Sequence, residues 1–195
     1  DPETTNFGFT KSDIYQSYDT AIWKASGVAR LEKVISRSYS SDKNVGGNYD
    51  TPLAAIDGSW SRSTTETNYQ GSYDVNGKIN RTHAPAVNNG YSLSFDGQKT
   101  YTRTTLTQIF NPDVWSNLGK TVLLTTEAQS WSSDNSVDTT INDPGRGIVP
   151  AFGSTKIYGG GTFGSPLAQG DGSKNKSYLT TDYSRSYNKY GGTTG

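Results

Sequence analysis

The sequence predicts a mostly β protein: an antiparallel β-sandwich or jelly roll with one short N-terminal helix. Ser, Thr, Asn and Gly make up 85 of the 195 residues, and hydrophobic residues only 31%, against about 45–50% in typical globular domains. Aromatic residues reach 12%, with 13 Tyr, which argues against plain disorder. Turn pairs such as Asn-Gly and Asp-Gly separate short β-forming segments.

The helix is predicted over residues 15–26. Ser12 and Asp13 are candidate caps at its start, and Gly27 is well placed just beyond its end. Apolar residues fall on one helical face, namely Ile14, Tyr18, Ala21, Ile22 and Ala25. Residues 28–39 fit either a helical stripe or β alternation, and the surrounding chemistry favours a strand.

Strands are predicted along most of the remaining chain. Asn76-Gly77 predicts a hairpin turn between Tyr73 and Ile79, and Asp96-Gly97 predicts the clearest hairpin in the sequence. The other segments combine β-branched or aromatic residues with polar alternation. The predicted strands span residues 59–69, 91–95, 99–110, 120–131, 148–152, 155–158 and 177–187.

The length and composition indicate a single β-rich domain over residues 1–195. Residues 1–10 are a candidate extended arm, and residues 188–195 a small-residue tail. The chain has no Cys and a formal net charge of zero, so disulfides and thiolate sites are excluded and nothing favours nucleic acid as a partner. No stretch approaches the ~18 apolar residues of a transmembrane helix.

The best carboxylate pair for a glycoside hydrolase is Glu66 and Glu127. Both lie near aromatic residues in predicted strands, and a small jelly-roll glycosidase needs two carboxyls on one concave face. Neither residue lies in a recognisable signature, so the alternative is two solvated strand carboxylates. The sequence leans towards a protein that is not an enzyme.

Trp60, Trp115 and Trp131 are candidates for stacking against sugar rings. With 13 Tyr in the chain, they could form a carbohydrate-binding platform. The alternative is that they fill the core or an interface, since aromatic residues serve there too and the chain is poor in aliphatic ones.

Calcium is the one cofactor that the sequence leaves open. Asp134, Asp138 and Asp143 make an oxygen-rich loop, and residues 73–80 and 171–175 are weaker candidates. Turn chemistry explains these loops equally well.

The leading functional prediction is an extracellular structural or adhesive protein, secreted or on the cell surface. Sheets rich in Thr, Ser, Asn and Tyr suit a self-assembling fibre or coat subunit joined by strand pairing between copies. Phe7, Phe9, Tyr187 and Tyr190 lie in the candidate exchanged segments. The alternatives are a carbohydrate-binding module with glycan partners and a small glycoside hydrolase.

Overall fold

The chain forms one seven-stranded antiparallel sheet in a computed structural model that describes residues 8–42, 46–133, 163–166, 171–188 and 192. The strands follow one another in sequence order, so each pairs with the strand before it and the strand after it. The prediction of a mostly β, antiparallel chain is confirmed. A second packed sheet, which a sandwich or jelly roll would require, stays a prediction. The strands are β1 (Phe9–Tyr18), β2 (Leu31–Ser41), β3 (Ser59–Asn68), β4 (Ala86–Asp96), β5 (Tyr101–Phe110), β6 (Leu123–Ser133) and β7 (Asn175–Asp182).

The Asp96-Gly97 hairpin joins β4 to β5 as predicted, with Phe95 opposite Tyr101. The Asp96 carboxylate accepts hydrogen bonds from the backbone N–H groups of Gln98, Lys99 and Thr100 at 2.8, 2.9 and 3.0 Å. These hydrogen bonds favour the ionised form and hold the pKa of Asp96 below its usual value. Residues 28–39 fall mainly in β2, so the strand interpretation is also confirmed.

The predicted first half of the N-terminal helix is wrong. Helix α1 spans Thr20–Ser26, and its N-cap is Asp19, whose side chain accepts from the backbone N–H groups of Ala21 and Ile22. The helix does end at Gly27, which has the left-handed conformation expected there. Residues 9–18 instead pair with β2, because a ladder of ten residue pairs satisfies more backbone groups than one extra helical turn.

A second helix, α2 (Pro112–Leu118), lies in the connection that Pro112 and Gly119 bracket. Asn111 caps its start through side-chain bonds to two backbone N–H groups, and Gly119 ends it. With only seven residues, α2 shows too little periodicity to be recognised from sequence.

The core lies on one face of the sheet and at the sheet end that carries both helices. On the sheet face, Ile35, Tyr39 and Leu93 are at most 3% exposed. At the helical end, Val114 and Trp115 of α2 are buried beside the connection between β3 and β4 (residues 69–85), where Trp115 Nε1–H donates to the Asn80 carbonyl at 2.8 Å. Among the described residues, no helix is both long and apolar enough to cross a membrane.

Candidate functional surfaces

The second face of the sheet carries two rows of small polar side chains, here called the hydroxyl face. In the first row, each residue is the direct partner of the next across all seven strands. The second row runs alongside, two residues away on each strand. Both rows are uncharged, and their side chains are exposed or half-buried. The first row is Ser12, Ser38, Ser63, Ser92, Thr104, Ser130 and Ser177; the second is Thr10, Ser40, Ser61, Ser94, Thr102, Ser132 and Asn175.

Hydroxyl groups bridge neighbouring strands on this face. Their oxygen atoms lie 2.8 Å apart between Ser12 and Ser38 and 2.7 Å apart between Thr104 and Ser130. Such cross-strand contacts contribute roughly 0.2–1 kcal/mol each. Two shallow hollows of about 220 and 230 Å³ lie along the rows, one over β1–β4 and one over β5–β7.

The core face carries the large residues that alternate with these hydroxyls. One row across it contains Lys11, Tyr39, Arg62, Leu93, Arg103, Trp131 and Lys176. Arg103 is 3% exposed and lies over the rings of Tyr91 and Trp131, at 5.0 and 5.8 Å from their centroids. Arginine can pack in this way because an aromatic face attracts a cation. Buried Arg and aromatic side chains therefore fill this face themselves.

Glu66 and Glu127 are not brought together. They lie on β3 and β6, three strand spacings apart, which corresponds to about 14 Å. Glu66 also pairs with Lys33 on β2 at 3.0 Å, on the side away from β6. Retaining and inverting glycosidases place their carboxyls about 5–5.5 and 6.5–9.5 Å apart. The backbones of the two residues are therefore farther apart than either carboxyl separation, and a catalytic role for this pair stays a prediction.

The three candidate tryptophans lie in separate places. Trp115 and Trp131 are 2% and 5% exposed, so neither presents a ring face to solvent. Trp60 is half-buried and contacts Phe95 and Tyr101, with ring centroids 6.3 Å from each. These surroundings favour the core interpretation, and a sugar-stacking role for the three stays an untested prediction.

The two edges of the sheet are β1 and β7, which pair only with β2 and β6 within the described ranges. Large hydrophobic side chains are exposed on both, including Ile14 at 65% and Leu179 at 63%. Of the predicted assembly residues, Phe9 lies on β1 and is 45% exposed, and Tyr187 is half-buried in the segment that follows β7. Phe7 and Tyr190 lie outside the described residues.

The main calcium candidates, Asp134, Asp138 and Asp143, also lie outside the described residues. In the two weaker loops, carboxylates serve as turn acceptors: Asp74 accepts from the Asn76 and Lys78 N–H groups, and Asp171 accepts from Ser173 N–H. In the part of the chain that the structure describes, no three His, Asp or Glu side chains are grouped to hold a metal ion.

A short sequence pattern marks the hydroxyl face. Each strand contains a triplet in which two small polar residues flank a larger one, as in Ser61-Arg62-Ser63 and Ser130-Trp131-Ser132. Alternation places the outer pair on one face and the middle residue on the other. The sequence analysis does not predict this pattern, because a triplet of this kind does not stand out in a chain rich in Ser and Thr.

Comparison with known proteins adds no family. No family model, curated protein or solved structure matches the chain.

Proposed function

We propose that this protein is an extracellular structural subunit that assembles into a surface fibre or coat by pairing sheet edges between copies. The observation that carries the proposal is the pair of edge strands, ten and eight residues long, with exposed large hydrophobic side chains. An edge strand presents unpaired backbone donors and acceptors, which makes it a template for another strand.

The charges on the edges are compatible with this pairing. Strand β1 carries Lys11 and Asp13, and β7 carries Lys176 and Asp182, so each edge is neutral overall. Natural proteins often protect an edge with several Lys residues, a Pro or a central bulge. Strand β1 has one irregularity, which lies at its end between Ser17 and Tyr18, so most of its length is regular.

Charging either edge should weaken assembly. We expect Ile14→Lys and Leu179→Lys each to raise the protein concentration needed for assembly at least about tenfold, which corresponds to about 1.4 kcal/mol. The cause is that each change removes an apolar cross-strand contact at the junction, and a lysine on an edge strand opposes pairing with another strand. The measurement is light scattering against concentration, with negative-stain electron microscopy of the particles.

Ile56→Lys is the matched control, because Ile56 is 75% exposed in the loop before β3, away from both edges. It should assemble like the wild type. A wild-type protein that stays monomeric at high concentration would contradict the proposed function.

The hydroxyl face favours a second candidate function, the binding of a neutral polysaccharide. Hydroxyl side chains such as Ser63, Ser92 and Ser130 line its two hollows, and these donors and acceptors match the hydroxyl groups of a glycan chain. Each lining also includes one basic residue, Arg62 in the first and Lys176 in the second. A sugar bound here would be held by hydrogen bonds across the strands, without stacking on the buried tryptophans.

Binding to cellulose and chitin beads tests the second candidate. Ser92→Lys, in the middle of the first row and in the lining of one hollow, should weaken retention about tenfold, because a lysine would lie across the hydrogen-bonding surface. Thr51→Lys, at an exposed loop position, is the matched control and should bind like the wild type. Equal retention of both variants, or none of the wild type, would rule out this face as a site for these two polysaccharides.

A further inference from the structure

Two strand–helix–strand units in the chain share the same internal spacing. In the unit β1–α1–β2, the cap Asp19 is followed by Ile22, Trp23 and Gly27. In β5–α2–β6, the cap Asn111 is followed at the same intervals by Val114, Trp115 and Gly119. The backbone N–H of each cap also donates to the carbonyl eleven residues later, Arg30 and Val122 respectively. The two units lie four strands apart and run in the same direction along the sheet.

The equivalent tryptophans differ in burial. Trp115 is 2% exposed because residues 69–85, which lie next to α2 on the side towards β1, cover it. Its Nε1–H donates to the Asn80 carbonyl, and the centroid of its ring lies 6.1 Å from that of Tyr73. Trp23 is 56% exposed. The corresponding side of α1 lies beyond β1, which is the edge strand of the described sheet.

At the opposite edge, the segment that follows β7 lies at the same end of the sheet as α1. A sheet of seven antiparallel strands has edges that run in the same direction, so β1 and β7 both end on the helical side. A turn follows β7 there, in which Ser186 N–H donates to the Tyr183 carbonyl at 2.8 Å. If β1 of another copy paired with β7, this turn would stand beside Trp23 as residues 69–85 stand beside Trp115.

We propose that copies assemble head to tail, with β1 of one copy pairing in parallel with β7 of the next and Trp23 packing against the turn at residues 183–186. This arrangement rests on the proposed function, and it keeps the β1–α1–β2 and β5–α2–β6 units of successive copies pointing in the same direction. It also keeps the hydroxyl faces of successive copies on one side. A heterologous contact of this kind leaves a free edge at each end, so growth continues into a filament.

Cysteine cross-linking tests the arrangement, since the chain has no Cys of its own. Ser12 and Ser177 lie on the same face of the two edges. In the proposed junction they are about 5–8 Å apart for registers that differ by up to two residues. The double variant Ser12→Cys/Ser177→Cys, treated with a short bismaleimide, should give a ladder of oligomers.

Two controls make the cross-linking specific. Each single-cysteine variant should stay monomeric on a denaturing gel, because the same residue recurs only every seven strands, about 34 Å away. Ser12→Cys/Lys176→Cys should cross-link far less, since these residues lie on opposite faces. Dimers of a single-cysteine variant would show two-fold edge pairing and overturn the head-to-tail arrangement. Polymers without the ladder would overturn it too.

Truncation of Trp23 tests the second contact. Trp23→Ala should melt like the wild type but raise the assembly concentration at least about tenfold. Ile56→Ala, at another exposed position, should melt like the wild type and leave the assembly concentration unchanged. Normal assembly of Trp23→Ala would refute the tryptophan contact. Absence of wild-type polymers would instead refute the proposed function itself, so the two failures are distinguishable.

Discussion

Trp115→Ala should lower the free energy of unfolding by about 3–5 kcal/mol, the usual cost of truncating a large buried aromatic residue. Trp115 lies on α2 at 2% exposure and joins that helix to residues 69–85. Its removal leaves a cavity beside Tyr73 and deprives the Asn80 carbonyl of its donor, so packing and hydrogen bonding are lost together. Urea unfolding followed by circular dichroism measures the effect.

Trp23→Ala is a closely matched control. Trp23 has the same position in a helix of the same length, and its carbonyl accepts from the C-cap glycine N–H as that of Trp115 does. Because the Trp23 side chain is 56% exposed, its loss should cost about 0.5 kcal/mol or less in the monomer. Equal destabilisation by the two variants would show that Trp23 and Trp115 are not buried to such different extents.

Local patterns were sufficient to predict most of the sheet. Asp96-Gly97 lies between two segments of β-forming residues, and the structure has a hairpin there because glycine adopts the left-handed conformation freely. Gly27 ends α1 for the same reason. These features depend on a few neighbouring residues, so a sequence displays them directly.

Features that depend on distant partners were missed. Ile14 and Tyr18 fit a helical face, but they lie in β1 because the whole segment pairs with β2. The burial of Trp115 depends on residues 69–85, in which its hydrogen-bond acceptor, Asn80, lies 35 positions earlier in the chain. Nothing in its immediate neighbours distinguishes it from Trp23.

The candidate surfaces depend on strand register, which the sequence does not contain. The strand order places β4 and β5 between Glu66 and Glu127, a separation that the sequence alone does not give. The hydroxyl triplets can be found one by one in the sequence. Their alignment into rows requires the register of all six strand pairs, because a slip of one residue would send a hydroxyl to the core face.

Gly97→Ala should be the most damaging single-methyl change in the turns, at about 3 kcal/mol. Gly97 has a φ of 83°, and a Cβ there would collide with the backbone carbonyl of Asp57 in the turn before β3. That carbonyl cannot simply move aside. It belongs to a turn tied by the bonds from Ala55 N–H to the Ser59 carbonyl and from Gly58 N–H to the Ala55 carbonyl, both under 3 Å.

Gly172→Ala separates the collision from the backbone strain. Gly172 has a φ of 82°, but a Cβ there would meet no atom of the described residues within 4 Å. This change should therefore cost only the strain of a left-handed alanine, about 1 kcal/mol. The difference in unfolding free energy between the two variants then measures how firmly the turns before β3 and after β4 are packed together. If both alanines cost the same, the two turns separate easily, and the β3–β4 register must be maintained by the ladder itself.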